Sequence, residues 1–104
     1  MYKVFLLMIS GLLLIACQSQ PTADNLTQAQ EYYKTEQYQL AAKELLPLAK
    51  QGSPDAQYAL GYLYYNGLGV PQNEKMGRDW IRLAAKQNYV PAKQALWLLT
   101  EQGG

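Results

Sequence analysis

The chain has 104 residues, with nine Lys or Arg against eight Asp or Glu, no His and a single Cys. That balance leaves no basic excess for a phosphate backbone, so nucleic acid is excluded as the expected partner. One cysteine excludes an internal disulfide, and the lack of His removes the usual metal ligand and proton shuttle, leaving helix packing and surface shape to do the work.

Residues 1–16 read as a secretory leader, because Lys3 supplies positive charge and residues 4–16 are apolar apart from Ser10 and Gly11. The stretch is too short to span a bilayer comfortably. It ends in Leu14-Ile15-Ala16-Cys17, which resembles the bacterial lipobox, where a small residue precedes a Cys that is acylated on sulfur and on its new N-terminus. Cys17 is therefore the expected lipidation site; the plain alternative is a free Cys in an ordinary leader. Several acyl chains on one residue give stable anchoring. Gln18 follows, where the common inner-membrane retention signal has Asp. The resemblance thus implies the outer membrane, facing the periplasm, if the cell is Gram-negative. Removing Lys3 with the leader leaves eight charges of each sign.

Residues 17–21 form a lipidated Cys and polar tether, and 22–104 are expected to be one all-α domain. Leu26, Ala29 and Tyr33 place a first helix over 22–35. A second covers 37–51, and Pro47 within it is expected to kink or loosen it. Ser53-Pro54-Asp55 combines an N-cap, a first-turn proline and an acidic residue suited to the helix dipole, opening a third helix that runs to Asn66. Gly67-Leu68-Gly69-Val70-Pro71 is a turn, and Asn73 caps a fourth helix reaching about Gln87. Asn88 suits the left-handed residue after that helix, and Pro91 opens a fifth through Glu101. No strand pattern of comparable length occurs.

The chain repeats itself at a spacing of 36 residues: Ala49-Lys50-Gln51 recurs as Ala85-Lys86-Gln87, and Ala56, Ala59 and Leu60 recur as Ala92, Ala95 and Leu96. One supersecondary unit is being stacked. Ala56, Leu60, Gly61, Tyr64, Gly67, Gly69, Val70, Trp80, Ala84 and Ala85 resemble the Sel-like repeat, a relative of the tetratricopeptide repeat, over residues 55–88. Residues upstream look like the second half of a degenerate repeat, and 91–99 like the first helix of a third. The implied fold is a short α-solenoid: two antiparallel helix pairs plus a capping helix. Gly77, Asn73 and Asn88 depart from the family's usual Ala, Asp and Gly. In a helix interior, Gly77 is expected to cost about 1 kcal/mol relative to Ala.

Ala56, Leu60, Leu63 and Tyr64 mark the buried face of the third helix, with Ala56 and Gly61 small enough for close approach. Met76, Trp80, Leu83 and Ala84 are the expected matching face of the fourth. Tyr58, Tyr62 and Tyr65 recur at i, i+4 and i+7 on the other side of the third helix. The resemblance places such rings in a concave binding groove; the alternative is packing on the first helix through Tyr32 or Tyr33. Ala59 stands where the family often has Asn, which removes a side chain suited to a partner's backbone. Trp97 occupies the slot of Gly61 one period later. With Leu96 and Leu99 it reads as an end cap, or else as an exposed dock. Lys75, Arg78, Arg82 and Lys86 line the outer face of the fourth helix, interrupted by Glu74 and Asp79. That line is either a solvated surface or a contact for anionic lipid.

The leading expectation is a lipid-anchored envelope adaptor that binds another protein through Tyr58, Tyr62, Tyr65 or Trp97. The alternative is a glycan- or peptidoglycan-binding accessory protein that uses the same rings. Neither reading involves a cofactor, a metal or catalysis: no thiol other than Cys17, no metal-ligand cluster and no phosphate loop is present in the sequence.

Overall fold

The computed structural model describes residues 23–103; the leader, Cys17 and the tether lie outside the described residues. Among the described residues five helices follow one another: α1 Ala23–Lys34, α2 Tyr38–Lys50, α3 Pro54–Asn66, α4 Glu74–Lys86 and α5 Val90–Gly103. Among the described residues there is no strand, and each helix packs chiefly against the next in sequence. Short connections make neighbours antiparallel, and the chain stacks them as an all-α solenoid.

The helix boundaries follow from local chemistry. Ser53 Oγ accepts from the Ala56 N–H at 3.4 Å and Asn73 Oδ1 accepts from the Met76 N–H at 3.0 Å, so both expected caps are present. The four helices from α1 to α4 end in one device, a residue at positive φ followed by an N–H that reaches back five residues. Glu36, Gly52, Gly67 and Asn88 hold the positive φ, at 61°, 99°, 69° and 63°. Gln37, Ser53, Leu68 and Tyr89 donate to the carbonyls of Tyr32, Leu48, Leu63 and Ala84. Of these, Gly67 and Asn88 are expected from the sequence and Gly52 and Glu36 are not; Glu36 could not be, because Glu carries no preference for that conformation. Pro47 does not interrupt α2, which continues to Lys50 with the proline on its exposed side.

Two apolar clusters form the core. The larger joins Ala29 of α1, Ala41, Ala42, Leu45, Leu48 and Ala49 of α2, and Ala56, Leu60 and Leu63 of α3, with Tyr64 and Trp80 packed at its edge. The smaller joins Ile81 and Ala84 of α4 to Ala92 of α5, with Leu96 and Leu99 against it.

The buried face of α4 differs from the expected one. Gly77, Ile81 and Ala84 are buried, while Met76 and Leu83 are 41% and 43% exposed. Met76, Trp80 and Leu83 instead line a shallow hollow with Leu46 and Tyr64 on the outer side. The cause is the crossing of α3 and α4 at two glycines. A Cβ on Gly61 would lie 2.7 Å from the Gly77 carbonyl oxygen, and one on Gly77 would lie 2.7 Å from the Gly61 carbonyl oxygen and from the Tyr65 nitrogen. Such contact rotates the line from Gly77 to Ile81 into the interface and turns Met76 and Leu83 outward. Gly77 is therefore required by packing, which corrects the expectation that it only weakens its helix.

The turn between α3 and α4 folds back onto the start of α2. A Cβ on Gly69 would collide with the backbone of Tyr38 and Gln39, and Leu68 and Val70 pack on the larger cluster. The Asn73 N–H donates to the Tyr64 carbonyl at 2.8 Å, closing the turn.

Candidate functional site: a tyrosine-lined groove

α1 and α3 lie side by side on one surface of the stack, held apart by α2 beneath them. The space between them is a groove of about 350 Å³. Leu26, Ala29 and Tyr33 come from α1, Leu45 forms part of the floor, Tyr58, Ala59 and Tyr62 come from α3, and Tyr89 enters from the turn before α5. Helical spacing explains the set: Leu26, Ala29 and Tyr33 are three and four residues apart, as are Asp55, Tyr58, Ala59 and Tyr62.

The rings contact one another. Tyr33 meets Tyr38 edge-on with centroids 5.5 Å apart and Tyr62 at 6.3 Å. Tyr58 meets Tyr89 at 5.8 Å. Packing of Tyr62 on α1 and its presence in the groove are thus compatible, because Tyr62 stays 40% exposed. Burial, then the neighbouring Tyr62, Tyr38 and Tyr58, raises the Tyr33 hydroxyl to about 12. Burial and then the hydrogen-bonding Asp55 carboxylate raise Tyr89 to about 12. At neutral pH both are uncharged hydroxyls set in an apolar wall. The small Ala59 leaves floor space between Tyr58 and Tyr62.

The other candidate residues lie elsewhere. Tyr65 does not line the groove; its backbone and Cβ abut Gly77 of α4, and its carbonyl accepts from Gln72 Nε2 at 3.1 Å. The α3–α4 crossing holds this residue to the far side, so the three tyrosines do not act as one stripe. Trp97 is 62% exposed and stands at the far end of the stack with Lys93, Gln94 and Leu98. Leu96 and Leu99 close the core there, and the Trp97 ring does not share in that packing. Of the basic line on α4, Lys75 and Arg82 both bind Asp79, at 3.1 and 3.0 Å. The Lys75 hydrogen bond, helped by the Arg82 charge, holds the Asp79 carboxyl below the usual carboxylate range. Three exposed side chains largely satisfy each other there.

One polar device escaped sequence reasoning. Gln57 is buried on α3, and its Nε2 donates to the Ala49 carbonyl at 3.1 Å. Gln87 Nε2 donates to Gln57 Oε1 at 3.0 Å and to the Gly52 carbonyl at 2.9 Å. The end of α4 is thereby tied to the turn between α2 and α3, one repeat back. The recurrence of Gln51 as Gln87 was the visible signal, but its partner Gln57 has no counterpart one period later, where Lys93 stands.

Among the described residues, no cluster of three or more His, Cys, Asp or Glu is placed to hold a metal ion, and no helix is long and apolar enough to cross a membrane. The groove offers aromatic area and two charged side chains, Lys34 and Asp55. Residues 54–89 match the Sel1 repeat family, while no curated protein and no solved structure matches the chain. The match spans α3, the glycine turn, α4 and the approach to α5, the same unit that the internal spacing marks out. Sel1 repeats mediate protein–protein interaction. Residues 54–89 are thus similar to one Sel1 repeat, set within a short all-helical solenoid.

Proposed function

We propose that this protein is a lipid-anchored scaffold of a bacterial envelope whose groove between α1 and α3 binds a segment of another protein. The observation that carries the reading is the half-exposed tyrosine lining of that groove, on the surface formed by the first helix of each pair. Tyrosine gives contact area with little side-chain entropy to lose, so an apolar wall of such rings suits a protein partner. Anchoring through Cys17 in the outer membrane, facing the periplasm, completes the proposal. Confinement at a membrane raises the effective concentration of a partner held at the same surface, which offsets the modest area of a two-pair solenoid.

The test is a photo-crosslinking residue at Tyr62 in living cells, with a control at Arg82 on the outer face of α4. One dominant envelope protein attached at Tyr62 and missing from Arg82 supports the scaffold. Adducts to glycan strands favour the carbohydrate reading, and equal labelling at both positions removes the groove from consideration. Anchoring is checked separately by incorporation of a labelled fatty acid. Label that survives Cys17→Ser, or that never enters the chain, removes the anchor and leaves the groove untouched.

A further inference from the structure

The groove has an electrical direction. Neighbouring helices are antiparallel, so α1 and α3 run the same way, and the Tyr33–Tyr62 contact aligns their C-terminal turns. Their N-terminal turns are then aligned as well, with Leu26 of α1 near Asp55 of α3. Lys34 and Asp55 are the charged side chains lining this groove; Lys34 closes the last turn of α1 and Asp55 lies in the first turn of α3, so helices that run the same way put them towards opposite ends of it. The α3 N-terminus offsets part of the Asp55 charge but not its sign.

Each end has a matching aromatic environment. Beside Asp55 stand the rings of Tyr58 and Tyr89; the Tyr89 hydroxyl donates to the Asp55 carboxylate, which keeps its negative charge and further lone pairs for an incoming cation. At the other end Lys34 stands beyond Tyr33 and Tyr62. Between the ends the wall is mainly aliphatic, from Ala29, Leu45 and Ala59, with the uncharged amide of Gln30 on the α1 side. A space of about 350 Å³ admits a few side chains, not a whole helix. From Asp55 to Tyr62 the helix advances two turns, about 10 Å.

Resting on the reading that this groove binds protein, we infer that its occupant is a segment presenting a basic side chain to Asp55, an aliphatic one to the middle and an acidic one to Lys34. Charge complementarity selects this occupant: an all-basic or all-acidic segment leaves one like-charge contact at an end.

A random-peptide library displayed on phage and panned on the full chain tests the inference. The parent protein is expected to enrich peptides with an aliphatic residue between one basic and one acidic residue. Lys34→Glu is expected to enrich peptides with basic residues on both sides, and Asp55→Lys peptides with acidic residues on both sides. The parent's best peptide should bind each variant about tenfold more weakly. Helical circular dichroism establishes that the variants are folded, and Tyr62→Ala reports whether capture uses the groove. Identical peptides from all three proteins, lost on Tyr62→Ala, would overturn the charge inference and keep the groove as a protein site. No enrichment, or enrichment indifferent to Tyr62→Ala, would overturn both.

Discussion

Glu36 shows what a single residue does in this fold and what it does badly. It holds the left-handed position that Gly52 and Gly67 hold elsewhere, at φ 61° with an exposed side chain. Its Cβ makes that conformation unfavourable, and Gly has no such penalty. Glu36→Gly is expected to raise stability by about 1 kcal/mol in urea unfolding; a loss would mean that the side chain has a role the backbone does not reveal. The tyrosines give a second residue-scale expectation. Tyr33 and Tyr89 are raised from 10.0 to about 12 in the folded chain. The folded state therefore holds these protons more tightly than the unfolded state, so their contribution is intact below pH 10 and is lost as pH rises from 10 through 12. Alkaline titration followed by tyrosinate absorbance should show a late-ionising group of rings, with unfolding becoming easier over the same window. A single transition near 10 for every tyrosine would contradict the buried arrangement.

At the scale of the element, the α3–α4 hairpin combines two kinds of information. Its ends are written locally, in Ser53-Pro54-Asp55, Gly67 and Asn73, and these residues act where the sequence predicts. Its crossing is written in a pair, Gly61 and Gly77, whose meaning depends on the partner helix. Propensity alone favours Ala at position 77 by about 1 kcal/mol. A Cβ there would lie 2.7 Å from the Gly61 carbonyl oxygen and from the Tyr65 nitrogen, which opposes it, because neither backbone atom can withdraw without moving α3. Gly77→Ala is expected to lower stability by about 1–3 kcal/mol, as overpacking does. Equilibrium unfolding of the single variant decides the sign, and a gain would show that the hairpin opens freely. The same crossing explains why Met76 and Leu83, apolar and at helical spacing, face outward.

For the whole molecule, contact between successive helices makes the stack quasi-one-dimensional, so each end is a surface that the interior repeats do not have. Leu96 and Leu99 close the far end against Ile81, Ala84 and Ala92, while Trp97 stays out in solvent. Trp97→Ala should change stability by less than about 0.5 kcal/mol, whereas Leu96→Ala should cost about 1–2 kcal/mol, the loss expected of a half-buried aliphatic chain. Thermal unfolding of the two variants separates an end cap from an exposed ring; a large loss at Trp97 would restore the cap. The Gln57–Gln87 bridge works at this scale too, tying the end of α4 to the turn one repeat back.

The sequence by itself determined the five helices, most of their ends and the 36-residue unit, because caps, prolines and positive-φ residues act within a few positions and the repeat is visible as spacing. It also marked Tyr58 and Tyr62 as a face distinct from the core. Only the tertiary structure decided that Tyr65 leaves that face, that Tyr89 joins it and that Asp55 and Lys34 mark its two ends. Those placements depend on how far α2 holds α1 from α3 and how closely Gly61 and Gly77 bring α4 to α3. Both are sums over contacts between helices, and no residue's local preference contains them.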